Sequence, residues 1–413
     1  MLETVAVQDA SLGDYGSIVG EETLEAIQRL AAPLKGAKVL HINATPFGGG
    51  VAEILQTLVP LMRDVGLDAR WQVIEGTDEF FNVTKAMHNG LQGMDSKFSA
   101  KMQDIWQRYN QINAENFEGD YDFVIIHDPQ PAGLCRLTGH QQDPGWIWRC
   151  HIDTSTPNSA YWAFLAPYIN DYSATVFTME QYVGPGVDEA SLTVIPPSID
   201  PLSPKNTPMP LEQARCIVAD FGIDPARPLL VQVSRFDPWK DPLGVIDAYR
   251  VVKAQLPEVQ LALVGSMASD DPEGWDYYDK TVRRAGEDFD IHILHNFHGV
   301  GNPQVNAFQT AADVVIQKST REGFGLVVTE ALWKGKPVIG GNVGGIPMQV
   351  LDGQTGFLVD TPQACGEKAL YLLQHAQAAN AMGQAAKEHV RKHFLTTRHL
   401  VDYLKLFNRL RSS

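Results

Sequence analysis

Residues 321–340, REGFGLVVTEALWKGKPVIG, carry two carboxylates, Glu322 and Glu330, eight positions apart around a Gly-Phe-Gly turn. The turn is expected to open a helix. Gly323 and Gly325 let backbone N–H groups come close to a ligand, and the unpaired N–H groups of a first helical turn attract phosphate. Glu330 is placed two turns further along, with Glu322 at the helix mouth. Anion-binding amides beside two acceptors for sugar hydroxyls suit a sugar nucleotide. The competing account is a plain turn between two solvated helix carboxylates, the usual fate of such residues.

The rest of the chain bears on that choice. With 413 residues and 44% hydrophobic content, it is long enough for two globular domains with sizeable cores. The balance of 33 basic against 49 acidic residues argues against nucleic acid or a membrane surface as a partner. An anionic substrate would therefore be held by a few placed cations. Cys135, Cys150, Cys216 and Cys365 show no C-x-x-C spacing, which suits reduced thiols. The opening MLETVAVQDASLGDYG lacks a basic and then apolar leader pattern, and no apolar run approaches membrane-spanning length, so a cytoplasmic location is expected.

From Lys38 onward, short apolar runs alternate with helical patterns, as expected for parallel α/β domains. Lys38–Asn43, Tyr121–His127, Trp146–His151, Ala174–Thr178 and Thr193–Ile195 are the strands of a first series. Pro228–Val233, Val259–Val264, His292–Leu294, Val314–Ile316, Pro337–Ile339 and Gly356–Val359 make a second. After the loop ATPFGGG, Val51, Ile54, Leu55, Leu58, Met62 and Val65 share a helical face that Pro60 is expected to kink. Residues 195–210 contain six prolines and have the composition of a linker and hinge. The predicted domains are 1–198 and 199–390, with 391–413 a final helix that caps the second domain or crosses back to the first. Within the more polar 76–120, Glu79, Phe80, Phe81, Asn82 and Lys85 suggest a helical insertion near a cleft.

Other residues in this pattern could carry chemistry, each with a plainer account beside it. Gly48, Gly49 and Gly50 follow a strand and open a helix, a layout in which bare backbone can meet phosphate. They form neither a P-loop nor a dinucleotide fingerprint, and a tight turn would explain them as well. Arg235 and Lys240 follow the first strand of the second series, at the end where open α/β sheets bind ligands, and two cations there could offset a diphosphate. Alternatively, Arg235 pairs with Asp237 on the surface. His151 follows a strand and could donate to a sugar hydroxyl, or be a structural histidine bonded to backbone. Asp128, Gln130 and Asp153 are strand-end groups suited to acceptor hydroxyls. His41, His127 and His151 do not have the spacing of a metal-ligand set, so no metal is expected. No Gly-x-Ser-x-Gly elbow, kinase or metalloprotease signature is present.

In motif order and placement the chain resembles retaining glycosyltransferases of GT-B architecture, which carry a Glu-x7-Glu motif (Glu322 and Glu330), an Arg and Lys after the first strand of the second domain, and an N-terminal glycine loop. More narrowly, HINATPFGGGVAEIL, EFFNVTK, HDPQPAGL, WRCHIDTSTPN, PPSIDPLSPKN, QVSRFDPWKDP, DDPEGWDYY and the 321–340 segment resemble the trehalose glycosyltransferring synthases. The resemblance implies two Rossmann-like domains with parallel sheets facing a cleft: an N-terminal acceptor domain and a C-terminal donor domain, with the C-terminal helix crossing back to the first. It implies reversible, retaining transfer of glucose from ADP- or UDP-glucose to free glucose, giving α,α-trehalose. By the same analogy Glu322 binds donor glucose hydroxyls, Glu330 the ribose, and Arg235 and Lys240 the diphosphate. His151 contacts the transferred sugar, and Gly49, Gly50, Gly323, Phe324, Gly325 and Leu326 line the donor. No cofactor is obligatory, magnesium could stimulate through the donor diphosphate, and a homodimer is allowed.

The chemistry agrees with that implication. Retention needs either an enzyme nucleophile or entry of the acceptor on the face the phosphate leaves, and no carboxylate here is an obvious nucleophile. Positioning and charge stabilisation then suffice. The alternatives are a trehalose phosphorylase using glucose 1-phosphate, a synthase acting on glucose 6-phosphate, another retaining transferase, a sugar-nucleotide epimerase, and a sugar-binding protein without chemistry.

Overall fold

The computed structural model describes residues 2–267 and 272–412. Asp270 and Asp271, which begin the DDPEGWDYY segment, lie outside the described residues. The chain forms two compact units, one made by the chain up to Ser198 together with the stretch from Thr396, the other by Ile199–Leu395.

The first unit is built on a seven-stranded sheet of β1 (Glu3–Thr4), β2 (Lys38–Asn43), β3 (Asp68–Val73), β4 (Phe123–His127), β5 (Trp146–Arg149), β6 (Ala174–Phe177) and β7 (Leu192–Val194). Their order is β1-β3-β2-β4-β5-β6-β7, with only β1 antiparallel to its neighbour. β4 and β5 are buried throughout, the near-continuous apolar run expected of a parallel strand covered on both faces. The second unit has β8 (Leu229–Val233), β9 (Gln260–Val264), β10 (Ile291–Leu294), β11 (Val314–Gln317), β12 (Val338–Gly341) and β13 (Gly356–Val359), ordered β10-β9-β8-β11-β12-β13 and wholly parallel. In each sheet the strand order reverses once, between β2 and β4 and between β8 and β11. Such switch points leave a crevice beyond the carboxyl ends of the strands, where open α/β sheets take ligands.

Several sequence expectations shift. β1 and β3 had no counterpart among the expected strands. Helix Gly49–Asp64 runs on through Pro60, which is buried within it. Within 76–120 lie two helices, Asp78–Leu91 and Ala100–Glu115, whose Phe80, Met87, Leu91, Ile105 and Trp106 join the core of the first unit. Glu79 pairs there with Arg108 at 3.2 Å.

The proline-rich stretch is not a free linker beyond Ser198. Asn306 Nδ2 donates to the carbonyls of Pro204 (3.2 Å) and Thr207 (2.9 Å), which ties it to the second unit. Arg391 belongs to helix Ala376–His393 of that unit rather than to the final segment. The last helix, Thr396–Ser412, instead buries Leu400, Tyr403, Leu404, Leu406 and Phe407 in the first unit. Phe407 stacks on Phe123 of β4 with centroids 4.3 Å apart, and Asn408 Nδ2 donates to the Leu30 carbonyl at 2.8 Å. All four thiols are free, and no helix among the described residues is long and apolar enough to cross a membrane.

Candidate active site

In the second unit, β8 and β11 end side by side at the switch point, and the loops leaving them bring two expected residues into contact. After β8 the chain enters a short 3-10 turn, Pro238–Lys240, because the Asp237 carboxylate accepts from the N–H groups of Trp239 and Lys240, both at 3.0 Å. Gln232 Nε2 holds the Lys240 carbonyl at 2.8 Å. Lys240 Nζ thereby lies 2.5 Å from Glu322 Oε2, with 17% and 9% of the two side chains exposed, so solvent screens this pair far less than a surface one. Ser319 Oγ also donates to Glu322 Oε2, at 3.3 Å. Next to this pair Lys318 bonds the Asp241 carboxylate.

The loop 318–325 is shaped by two close approaches. Gly325 sits at φ 82°, and a Cβ there would stand 3.2 Å from the Glu322 carboxyl carbon. At Gly341 on β12 a Cβ would lie 2.1 Å from the Ser319 carbonyl, so only hydrogen fits. Gly325 caps helix Leu326–Trp333 without a side-chain acceptor, which leaves the first amides of that helix to other partners.

Glu330 is just over one turn into this helix rather than two, and it is not a solvated carboxylate: the residue is 1% exposed. Its Oε1 is 3.5 Å from Lys205 Nζ, while Oε2 accepts from none of the described residues. Lys334, one turn on, donates to Asn206 Oδ1 and the Glu330 carbonyl, both at 3.2 Å. Burial pushes its ammonium down to about 8, against the pull of Glu330. A buried carboxylate flanked by two lysines, with one bare oxygen, is poised to accept from a ligand hydroxyl. Arg235 is different: 69% of its side chain is exposed and its nearest partner, Asp237 Oδ2, is 3.5 Å away. The surface pair weighed from sequence is thus what the structure holds.

In the first unit the groups again sit beyond strand ends at the switch point. β2 leads into Gly48 and Gly49, both at positive φ (76° and 80°) with open space where a Cβ would be. Gly50 has no such backbone. Helix Gly49–Asp64 starts there with no side-chain cap, so its first amides are not taken by a capping side chain.

After β4, Asp128 adopts a left-handed backbone (φ 65°), unusual for a residue with a side chain. Its Oδ1 accepts the His151 N–H at 2.8 Å, and its carbonyl accepts from the Trp148 indole at 3.0 Å. Asp153 Oδ1 is occupied by the Ser155 N–H and hydroxyl at 2.9 and 2.6 Å. The Gln130 carbonyl accepts from Asn110 at 3.0 Å. Asp128 and Asp153 therefore shape the loops here, a role their sequence positions did not suggest.

Burial pushes the Asp128 carboxyl up to about 6, against the opposing effects of the His151 N–H and nearby Arg149. A carboxyl raised above its unfolded value of about 3.9 favours the fold while protonated, and that contribution is lost as pH climbs from about 4 through about 6. Asp128→Asn, which keeps the acceptor and tolerates the left-handed backbone, removes the titration. Its stability relative to the parent is expected to improve by about 1–2 kcal/mol between pH 4.5 and pH 7. Urea denaturation at the two pH values measures it, and a difference that does not change with pH refutes the assignment.

The histidines set aside as a metal set are joined in another way. His41 Nδ1 lies 3.0 Å from His127 Nε2, and His127 Nδ1 lies 2.9 Å from His151 Nε2. No group of His, Cys, Asp or Glu placed to hold a metal occurs among the described residues. Lys205, Ser319 and Arg149 were not anticipated either, since each reaches its place through a loop or strand register that no motif spells out.

Two doubly wound parallel units with these strand-end loops are the GT-B glycosyltransferase architecture. The solved structure described as "Trehalose-6-phosphate from E. coli bound with UDP-2-fluoro glucose" superposes with a TM-score of 0.71 at 12% identity, covering 90% of this chain and 99% of that one. The profile described as "Trehalose synthase, N-terminal domain" matches residues 41–184, and that of "Glycosyl transferases group 1" matches 216–389. Trehalose synthase of Rubrobacter xylanophilus is 55% identical over 99% of both chains, and that of Thermococcus litoralis 52% over 96% of both. The chain belongs to the trehalose synthase family and is a glycosyltransferase.

Proposed function

We propose that the protein transfers glucose, reversibly and with retention, from a nucleoside diphosphate glucose to the anomeric hydroxyl of free glucose, forming α,α-trehalose. The observation that carries this reading is the Lys240–Glu322 pair at the mouth of a helix without a side-chain cap, one turn from the half-satisfied Glu330. A cation, helix-start amides and two acceptors are the groups a sugar nucleotide needs. When donor binds, Lys240 exchanges Glu322 for the diphosphate, and the freed carboxylate takes hydroxyls of the transferred glucose. Glu330 takes the ribose through Oε2, and Arg235, extended into solvent, folds onto the phosphates. His151 contacts the transferred sugar, and the amides of Gly49 and Gly50 are available to phosphate or to the reacting sugar. Asp128, Gln130 and Asp153 act on acceptor binding through loop shape.

In the transfer the bond from the anomeric carbon to the phosphate oxygen breaks, its electron pair staying with the nucleoside diphosphate. The acceptor oxygen forms the new bond on the same face, and its proton passes to the departing phosphate oxygen. The protein supplies orientation and charge stabilisation in place of a base. Magnesium would act only by neutralising the diphosphate.

Incubation with ADP-, UDP- or GDP-glucose and free glucose, with and without magnesium, tests the reading. Nucleoside diphosphate and α,α-trehalose should appear in equal amounts. Parallel arms with glucose 6-phosphate as acceptor, and with glucose 1-phosphate as donor, should give no product. Trehalose formed from glucose 1-phosphate with phosphate release, independent of nucleotide, would overturn it.

A further inference from the structure

His41 is on β2, His127 ends β4 and His151 follows β5, three adjacent parallel strands. One imidazole per strand gives a continuous line. His41 and His127 rings are 5.3 Å apart, and His127 and His151 are stacked at 5.2 Å with planes 15° apart. His41 and His127 are buried, His151 keeps a partly exposed edge, and its remaining nitrogen, Nδ1, is bound by none of the described residues.

Each N···N contact needs one N–H and one lone pair, and burial drives all three rings well below the usual histidine range, so they are neutral. A line of three neutral imidazoles has only two proton arrangements. In the first, His41 Nδ1–H donates to His127, whose Nδ1–H donates to His151. His41 Nε2 is then a lone pair, and His151 presents Nδ1–H. In the second every proton is reversed, so His41 buries an N–H at Nε2 and His151 presents a lone pair.

The buried end decides between them. His41 Nε2 has no partner among the described residues. Nor do Nε, Nη1 and Nη2 of the fully buried Arg149, whose guanidinium lies within electrostatic range of His127, His151 and Tyr403. Tyr403 packs edge-on against His41 at 5.8 Å. This interior already holds unpaired donors beside a positive charge. A further buried N–H would add to these unpaired donors, whereas a lone pair at His41 Nε2 is the form that a donating water can satisfy.

We propose that His127 and His41 are positioning residues that lock His151 as the Nδ1–H tautomer, so that it donates a hydrogen bond to a hydroxyl of the transferred sugar. The last clause rests on the functional reading above; the tautomer does not. A donor fixed in advance loses no freedom when substrate arrives, whereas the neutral side chain in water prefers the opposite tautomer, Nε2–H.

Long-range proton–nitrogen correlation spectra of histidine-labelled, substrate-free protein at neutral pH read the tautomer directly. His127 and His151 should both be neutral Nδ1–H. His41→Leu removes the first donor and should let His151 shift towards Nε2–H, with kcat falling by roughly 10–100-fold at nearly unchanged donor KM, the scale of losing a partner that orients a histidine. His41→Asn, whose amide reaches the Nδ1 position, should restore both tautomer and rate. An Nε2–H or protonated His151 in the parent protein overturns the proposal without any variant, as do Leu and Asn variants that behave alike. Because the spectra need no substrate, failure of the tautomer and failure of the proposed reaction are told apart.

Discussion

Replacing Lys240 by Ala is expected to lower kcat by about two to three orders of magnitude, the scale of losing one preorganised group that meets developing charge. The ammonium sits 2.5 Å from Glu322 on a turn pinned by Asp237 and Gln232, so it is in place before a diphosphate arrives. The variant also leaves Glu322 largely buried without its countercharge, which should cost roughly 1–3 kcal/mol of stability but not the fold. Arg235→Ala should follow with a smaller loss, since that side chain is solvent-exposed and must first be ordered. Steady-state rates with nucleoside diphosphate glucose and glucose, together with thermal melts, check both. Near-parental turnover in both variants removes these cations from the donor site.

The two glutamates should separate in kinetics. Glu322→Gln is expected to act mainly on kcat, because its hydrogen bonds to the migrating glucose strengthen as charge develops. Glu330→Gln should raise donor KM by more than it lowers kcat, costing about 1–3 kcal/mol for a charge-assisted hydrogen bond to the ribose. The structure adds a second readout. Glu330 supports the buried Lys334 ammonium, so neutralising it should depress the Lys334 titration further below about 8. If Glu330→Gln damages kcat more and Glu322→Gln changes only donor affinity, the two roles are exchanged and the orientation of donor in this unit reverses.

Most strands were legible because a parallel strand covered on both faces is a short apolar run, and Phe123–His127 or Leu229–Val233 can hardly be anything else. β3 was not, because Asp68, Arg70 and Gln72 interrupt Ala69, Trp71 and Val73. It is an alternating strand near the sheet edge, and Gln72 is tied to Thr4 of the two-residue β1. The helix continues through Pro60, and the chain beyond Ser198 is tied to the second unit, because proline removes one donor while neighbouring packing decides whether the chain around it stays ordered. For the candidate site, glycines and charges after β2, β8 and β11 could be found from their positions alone. The histidine line could not. It joins residues 86 and 24 positions apart through strand register, a relation fixed only when β2, β4 and β5 are paired. Asp128 and Asp153 had the right residue type for a sugar ligand, and one oxygen of each, Oδ1, already accepts from backbone and serine donors.

The division of the first unit between the two ends of the chain has a consequence for biosynthesis. Its strands leave the ribosome early, but the helix that covers Phe123 and meets Ser198 through His399 is made only after the whole second unit. The second unit is contiguous and can complete itself while the first waits, for roughly 10–40 s at ordinary elongation rates. Throughout that interval the apolar floor beneath Leu400, Tyr403 and Phe407 stands open in the nascent chain, so this protein should lean on chaperones during translation far more than on refolding from denaturant, when both ends are present at once.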